Sequence, residues 1–203
     1  MIQIITHSSY LPKETIYWQQ LLDEGADCIL LRKPGWTIAE YEQLLLEADA
    51  TCYNQLIIAE HVELCETYGL QGVHFSETSS SLLPVDKLVE YRQRDWRLST
   101  SVHTTAALQT ASAYWDQLLL APIFDSISKP AHYSAFSEDF QLSKGNYTGN
   151  VLALGGVDHT TARKARNMQF DGIALLGAIW QEPAAAVSRF RQIKDIWHNI
   201  GPS

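Results

Sequence analysis

The chain has 203 residues with 46% apolar content, enough for one domain with a sizeable core. Its formal charge is −8 and no lysine or arginine run appears, so nucleic acid is not an expected partner and any anion must be held by local donors. No apolar stretch reaches the ~18 residues of a membrane span, so no membrane partner is expected either.

Residues 2–6 read as a first strand. The segment has no basic region and no long apolar run, unlike a signal peptide. A helix is expected over 13–24 and a strand over 28–32, joined by a Gly and Asp turn. The same pattern of helix end, Gly or Asp turn and apolar run returns at Glu66 to Phe75, Ala113 to Ala121 and Asn167 to Leu176. A helix over 37–50 is opened by Thr37, with Glu40 three positions later as in a capping box. A strand at 56–59, a helix at 61–68 and a strand at 72–75 follow. Ser79 to Ser81 read as a short loop before a helix at 84–93, a strand at 97–102, a helix at 104–113 and a strand at 117–121. The next helix is weakly marked, near 136–143. A strand at 151–155, a helix at 158–168 capped by Asp158, a strand at 172–176 and a helix at 183–198 complete the chain.

Continuous apolar strands alternating with amphipathic helices imply a parallel sheet covered by helices. Eight βα units predict an α/β fold, a single-domain (β/α)8 TIM barrel over residues 1–203; an open doubly wound sheet is the alternative. Cys28, Cys52 and Cys65 are odd in number and lack CxxC spacing, so they read as buried reduced thiols of a cytoplasmic protein. The six tryptophans are scattered, which suits packing of helices onto the barrel or cover of an interface and leaves a homodimer open.

In a barrel, chemistry gathers at the C-terminal strand ends. Two apolar strands end in glycine turns, Val151 to Val157 and Ile173 to Ile179. Such turns on strands seven and eight can hold a phosphate on backbone N–H groups, through Gly155, Gly156, Gly177 and Ala178; the plainer reading is two tight turns. Arg32 follows strand two and Lys129 follows strand six, so the two cations could meet across the mouth. Ser126 and Ser128 would add hydroxyl donors there. The alternative for Arg32 is a pair with a neighbouring carboxylate on the rim. His74 and His103 lie on or just after strands, where a histidine is more often a satisfied inner-barrel residue. No HxH or HExxH spacing argues for a zinc site. Glu60 is the best lone candidate for Mg²⁺, with Glu77 nearby, because Mg²⁺ takes most of its oxygens from phosphate and water. A solvated carboxylate at a helix start explains Glu60 equally well.

The segments Ser101 to Thr104, Ala121 to Lys129, Leu154 to Val157 and Asp171 to Ile179, in this order and spacing, resemble thiamine phosphate synthase and its TenI-like relatives. The resemblance implies a (β/α)8 barrel. It also implies the joining of hydroxymethylpyrimidine diphosphate to thiazole phosphate with Mg²⁺, releasing pyrophosphate and thiamine phosphate. By position it implies that Ser126, Ser128 and Lys129 contact substrate phosphates and that Ser101 stands near the diphosphate. Gly155, Gly156, Gly177 and Ala178 would cradle the thiazole phosphate, and Arg32 matches the arginine after strand two. Lys129, Arg32 and Ser101 are the expected catalytic residues, His103 an added substrate contact and Glu60 the metal ligand. The departures lie in the diphosphate half. The pattern Gln-x-Arg-x-Lys is here Leu30 to Pro34, with the glutamine missing and the lysine displaced to Lys33. Ala59 and Glu60 stand where the family has Asn-Asp, Ser79 stands at a second aspartate, and Pro122 stands at the TenI histidine. The alternative is therefore a TenI-like protein that binds thiazole phosphate or thiamine phosphate without synthase chemistry.

Overall fold

A computed structural model describes residues 1–125, 136–137 and 139–199. Eight strands close into one parallel barrel: β1 (Ile2–Ile5), β2 (Cys28–Leu31), β3 (Leu56–Ala59), β4 (Gly72–Phe75), β5 (Arg97–Val102), β6 (Gln117–Leu120), β7 (Asn150–Ala153) and β8 (Gly172–Leu175). Each strand pairs with its sequence neighbours, and β8 returns to β1 with Gln3 opposite Ala174. The strands are short, and nearly all their residues are buried. Their outward side chains pack under the helices, and their inward ones, such as Ile5, Leu30, Ile57, Leu119 and Leu152, fill the barrel.

The helices are α1 (Glu14–Asp23), α2 (Ile38–Glu47), α3 (Val62–Tyr68), α4 (Glu77–Leu82), α5 (Val85–Gln93), α6 (Thr105–Gln109), α7 (Ala162–Asn167), α8 (Gly177–Trp180) and α9 (Ala186–His198). The capping box at Thr37 and Glu40 is formed. Trp18, Trp96, Trp115, Trp180 and Trp197 are buried between helices and sheet, whereas Trp36 is only half-buried. The three cysteines are free and buried, and burial pushes the Cys28 and Cys65 thiols up to about 12.

The Asp turns in the repeating pattern have a physical role. Asp27, Asp116 and Asp171 each precede a strand, and each carboxylate accepts the N–H of a residue at the start of the preceding strand: Ile2, Leu98 and Val151, at 2.6, 2.8 and 2.8 Å. Each aspartate also donates its own N–H to the carbonyl of that same residue. These clasps fix the register at the closed end of the barrel, opposite the mouth.

The structure departs from the sequence at several helices: the helix expected over 37–50 ends at Glu47, the one over 104–113 ends at Gln109, and the one over 183–198 begins at Ala186 with α8 ahead of it. Ser79 to Ser81 belong to α4 rather than a loop, since Ser76 accepts the Ser79 N–H and starts a turn of helix. No helix forms over the described residues of 136–143; instead Phe140 packs at a tilt between Phe136 and Phe170, and the Leu142 N–H donates to the Met168 carbonyl. Finally, α7 begins at Ala162, because the Asp158 carboxylate spends its hydrogen bonds on Thr160 and Thr161 in a turn ahead of the helix.

Candidate functional site

The C-terminal ends of the eight strands surround a cavity of about 400 Å³. Its floor is apolar, with Ile5, Leu30, Ala59, Leu119, Leu154 and Leu176. Arg32, Glu60, His61, Glu77, Ser101 and His103 are among the polar residues that line it. An apolar floor with a few convergent polar groups suits a small-molecule ligand. The structure thus brings together Arg32, Glu60, Ser101 and His103, from the ends of β2, β3 and β5.

Arg32 follows β2 directly, and its guanidinium is exposed. It pairs with no described carboxylate. The rim ion pair weighed from sequence therefore does not form among the described residues. Lys33 does the opposite. Its ammonium is buried against Glu14, donates to the Ser9 carbonyl at 3.0 Å, and lies 5.3 Å from the Trp36 ring. Burial pushes the Glu14 carboxyl up and the Lys33 ammonium down, and their mutual pairing opposes both shifts. Lys33 is a structural cation under the mouth, so a displaced substrate lysine is not what this residue supplies.

Glu60 follows β3 with φ 68, an unusual conformation for a residue with a side chain. That bend sends one carboxylate oxygen to the Ser76 N–H at 2.8 Å and the Ser79 hydroxyl at 3.0 Å. Glu60 therefore caps α4. Among the described residues no group of three His, Cys, Asp or Glu side chains is gathered for a metal ion. Glu77, in the first turn of α4, borders the same cavity.

His74 is the inner-barrel histidine that its strand position suggests. Its Nδ1 lies 2.8 Å from Ser99 Oγ and its Nε2 3.2 Å from Ser101 Oγ. Burial first, and the Arg32 charge second, push its pKa down to about 3, so the ring is neutral. His103 is different: half-exposed, its Nδ1 donates to the Ala121 carbonyl at 2.7 Å, and its Nε2 stands 3.8 Å from a Glu77 oxygen.

Gly155, Gly156, Gly177 and Ala178 sit directly above Leu154 and Leu176, on adjacent strands. Their N–H groups donate to no described residue. They are not among the residues that line the main cavity; Ala178 instead borders a smaller cleft of about 140 Å³ beside Asp158 and His159. Gly155 and Gly156 have φ of 92 and 64, and a Cβ on Gly156 would stand 2.4 Å from the Asp125 carbonyl oxygen. Backbone packing by itself therefore requires a glycine there. Ser126, Ser128 and Lys129 lie outside the described residues.

Sequence reasoning gave no role to Thr6, Glu14 or Tyr41, which hold the β2 end from below. Tyr41 and Glu14 look like ordinary helix residues, and only the partner across the fold gives them away.

Comparison with known proteins bears on this geometry. The model of the family described as thiamine monophosphate synthase matches residues 2–179. A thiamine-phosphate synthase of Psychrobacter sp. is 28% identical over 61% of this chain, and the match spans 59% of the relative's length. One of Clostridium tetani is 24% identical over 76% of this chain and 75% of its own. The crystal structure of thiamine phosphate pyrophosphorylase from Bacteroides thetaiotaomicron superposes with a TM-score of 0.74 at 22% identity, covering 97% of this chain and 96% of that one. That likeness speaks for the fold.

Proposed function

The chain belongs to the thiamine monophosphate synthase family, and we propose that it joins hydroxymethylpyrimidine diphosphate to thiazole phosphate, forming thiamine phosphate and releasing pyrophosphate. The observation that carries this reading is the gathering of Arg32, Glu60, Ser101 and His103 around one apolar-floored cavity, beside the two glycine turns.

In this reaction the bond between the pyrimidine methylene and the diphosphate oxygen breaks. The electron pair leaves with pyrophosphate, and the ring carries the positive charge. The thiazole nitrogen then donates its lone pair to form the new C–N bond. Little side-chain covalent chemistry is needed, so positioning and charge stabilisation dominate. The apolar floor would hold the rings and keep water from the cation. Arg32, free of any described carboxylate, would receive the departing diphosphate, with Lys129 facing it. Ser101, its hydroxyl fixed by His74, would hydrogen-bond the same group. Gly155, Gly156, Gly177 and Ala178 would hold the thiazole phosphate on backbone N–H groups, with Ser126 and Ser128 beside them. Mg²⁺ would be held by Glu60 and Glu77 and would supply charge neutralisation for the diphosphate. The test is incubation of both substrates with Mg²⁺, read as formation of pyrophosphate and thiamine phosphate.

The second reading is a protein that binds thiazole phosphate or thiamine phosphate without synthase chemistry. The engagement of Glu60 in the α4 cap favours it, because that carboxylate has a structural task already. Retained thiazole phosphate binding with no pyrophosphate release would select it. In both readings the ligands are phosphorylated small molecules, and we place the protein in the cytoplasm as one domain.

A further inference from the structure

The backbone leaves the sheet where β2 ends, and two buried hydroxyls take over the hydrogen bonds that the ladder no longer supplies. Thr6 Oγ1 accepts the Arg32 N–H at 2.9 Å and donates to the Arg32 carbonyl at 3.1 Å. Tyr41 Oη accepts the Lys33 N–H at 2.6 Å and donates to the Lys33 carbonyl at 3.1 Å. Thr6 is 1% exposed and Tyr41 3%. Valine and phenylalanine would fill the same space. What the hydroxyls add is a fixed backbone at two consecutive residues, held from β1 on one side and α2 on the other. Residues just past a strand ordinarily turn these groups to water and move with the loop. Here the Lys33 side chain is anchored as well, by Glu14 and the Ser9 carbonyl. The exposed Arg32 side chain is the part of this segment left free at the mouth.

We propose that Thr6 and Tyr41 are positioning residues for Arg32, pinning the backbone on both sides of its Cα so that the guanidinium fork meets a diphosphate in a bidentate geometry. A planar fork gains from orientation in a way that a point charge does not. A site held this way loses less order on binding than one on a free loop. The inference rests on the reading of Arg32 as a diphosphate ligand.

The test is calorimetry of inorganic pyrophosphate with Mg²⁺ on the full chain, with melting temperature measured in parallel. Thr6→Val and Tyr41→Phe each remove two hydrogen bonds and keep the packing, and each is expected to weaken pyrophosphate binding about tenfold. Thr6→Ser, which keeps the hydroxyl, should restore most of it. In an Arg32→Lys background the Thr6→Val loss should shrink to less than about twofold, because residues acting through one group are not additive. Normal binding in both Thr6→Val and Tyr41→Phe, with Arg32→Lys impaired, would overturn the positioning role while leaving Arg32 as a ligand. An undiminished Thr6→Val loss in the Arg32→Lys background would overturn it too. Unimpaired binding in Arg32→Ala would remove the reading of Arg32 on which it stands. Should Thr6→Val fail to fold, Tyr41→Phe carries the same comparison alone.

Discussion

His74 fixes Ser101 from inside the barrel: its Nε2 lies 3.2 Å from the serine Oγ, while its other ring nitrogen is held by Ser99 at 2.8 Å. The ring is fully enclosed and is pushed from 6.5 down to about 3, by burial and by the Arg32 charge. Below pH 6.5 the unfolded chain takes up a proton that the folded chain refuses. This histidine therefore leaves stability intact above pH 6.5 and removes it as pH falls toward 3, at ~1.4 kcal/mol per pH unit. Urea unfolding at pH 7 and pH 5 should show wild type losing roughly 2 kcal/mol more than His74→Gln over that interval. Equal losses in the two proteins would mean that His74 titrates normally and is not sealed in.

Lys33 and Glu14 make a second enclosed pair, this one charged. Glu14→Gln would leave the ammonium buried with no countercharge, an arrangement that costs ~3–5 kcal/mol. Adding Lys33→Met should recover most of that loss, because a well-packed apolar side chain need not be neutralised. Denaturant midpoints of the two variants decide the matter. A single mutant within about 1 kcal/mol of wild type would show that water or another group reaches Lys33.

The barrel was legible because most strands are apolar runs, and four of them follow the same Gly or Asp turn. Those signals are local. The Asp27, Asp116 and Asp171 clasps even leave a visible trace, as an acidic residue just before the run. α4 was hidden in part because Glu60, which accepts the Ser76 N–H at its start, lies sixteen residues earlier in the chain. The strand-end residues were legible as a set, and Arg32, Glu60, Ser101 and His103 line one cavity. Their partners were not legible. Thr6, Tyr41 and Glu14 matter through contacts between elements distant in sequence, and residue type alone carries no sign of those.

The two glycine turns differ in what they can report. On Gly156 an added Cβ meets the Asp125 carbonyl oxygen at 2.4 Å and Phe124 Cβ at 2.7 Å, and φ is 64. Gly156→Ala should therefore lose ~1–3 kcal/mol of stability, whatever it does to ligand binding. Gly177 opens α8 and is not among the glycines with positive φ, so alanine fits its backbone. Gly177→Ala should weaken thiazole phosphate binding about tenfold with little change in melting temperature. If calorimetry finds unchanged affinity in that variant, the phosphate does not sit on this turn. If Gly156→Ala melts with wild type, the packing account of that glycine is wrong.

Glu60 offers a way to separate a cap from a metal ligand. Its Oε1 accepts the Ser76 N–H and the Ser79 hydroxyl, and both bonds need an oxygen but no charge. Glu60→Gln keeps such an oxygen, so α4 should stay in place and the melting temperature should fall by only a few degrees, on the order of 1 kcal/mol. A Mg²⁺ carried in by the pyrimidine diphosphate would miss the carboxylate charge. Diphosphate binding should be strong in Mg²⁺ and weak without it in wild type, and that difference should shrink at least about tenfold in Glu60→Gln. Thiazole phosphate binding should be indifferent to Mg²⁺ in both. Glu60→Ala removes the cap as well and should lose stability in addition to the metal effect. If the diphosphate binds in neither condition, the reading without synthase chemistry stands. If Mg²⁺ dependence is full in Glu60→Gln, the glutamate is a helix cap and the metal is held by the substrate and other groups.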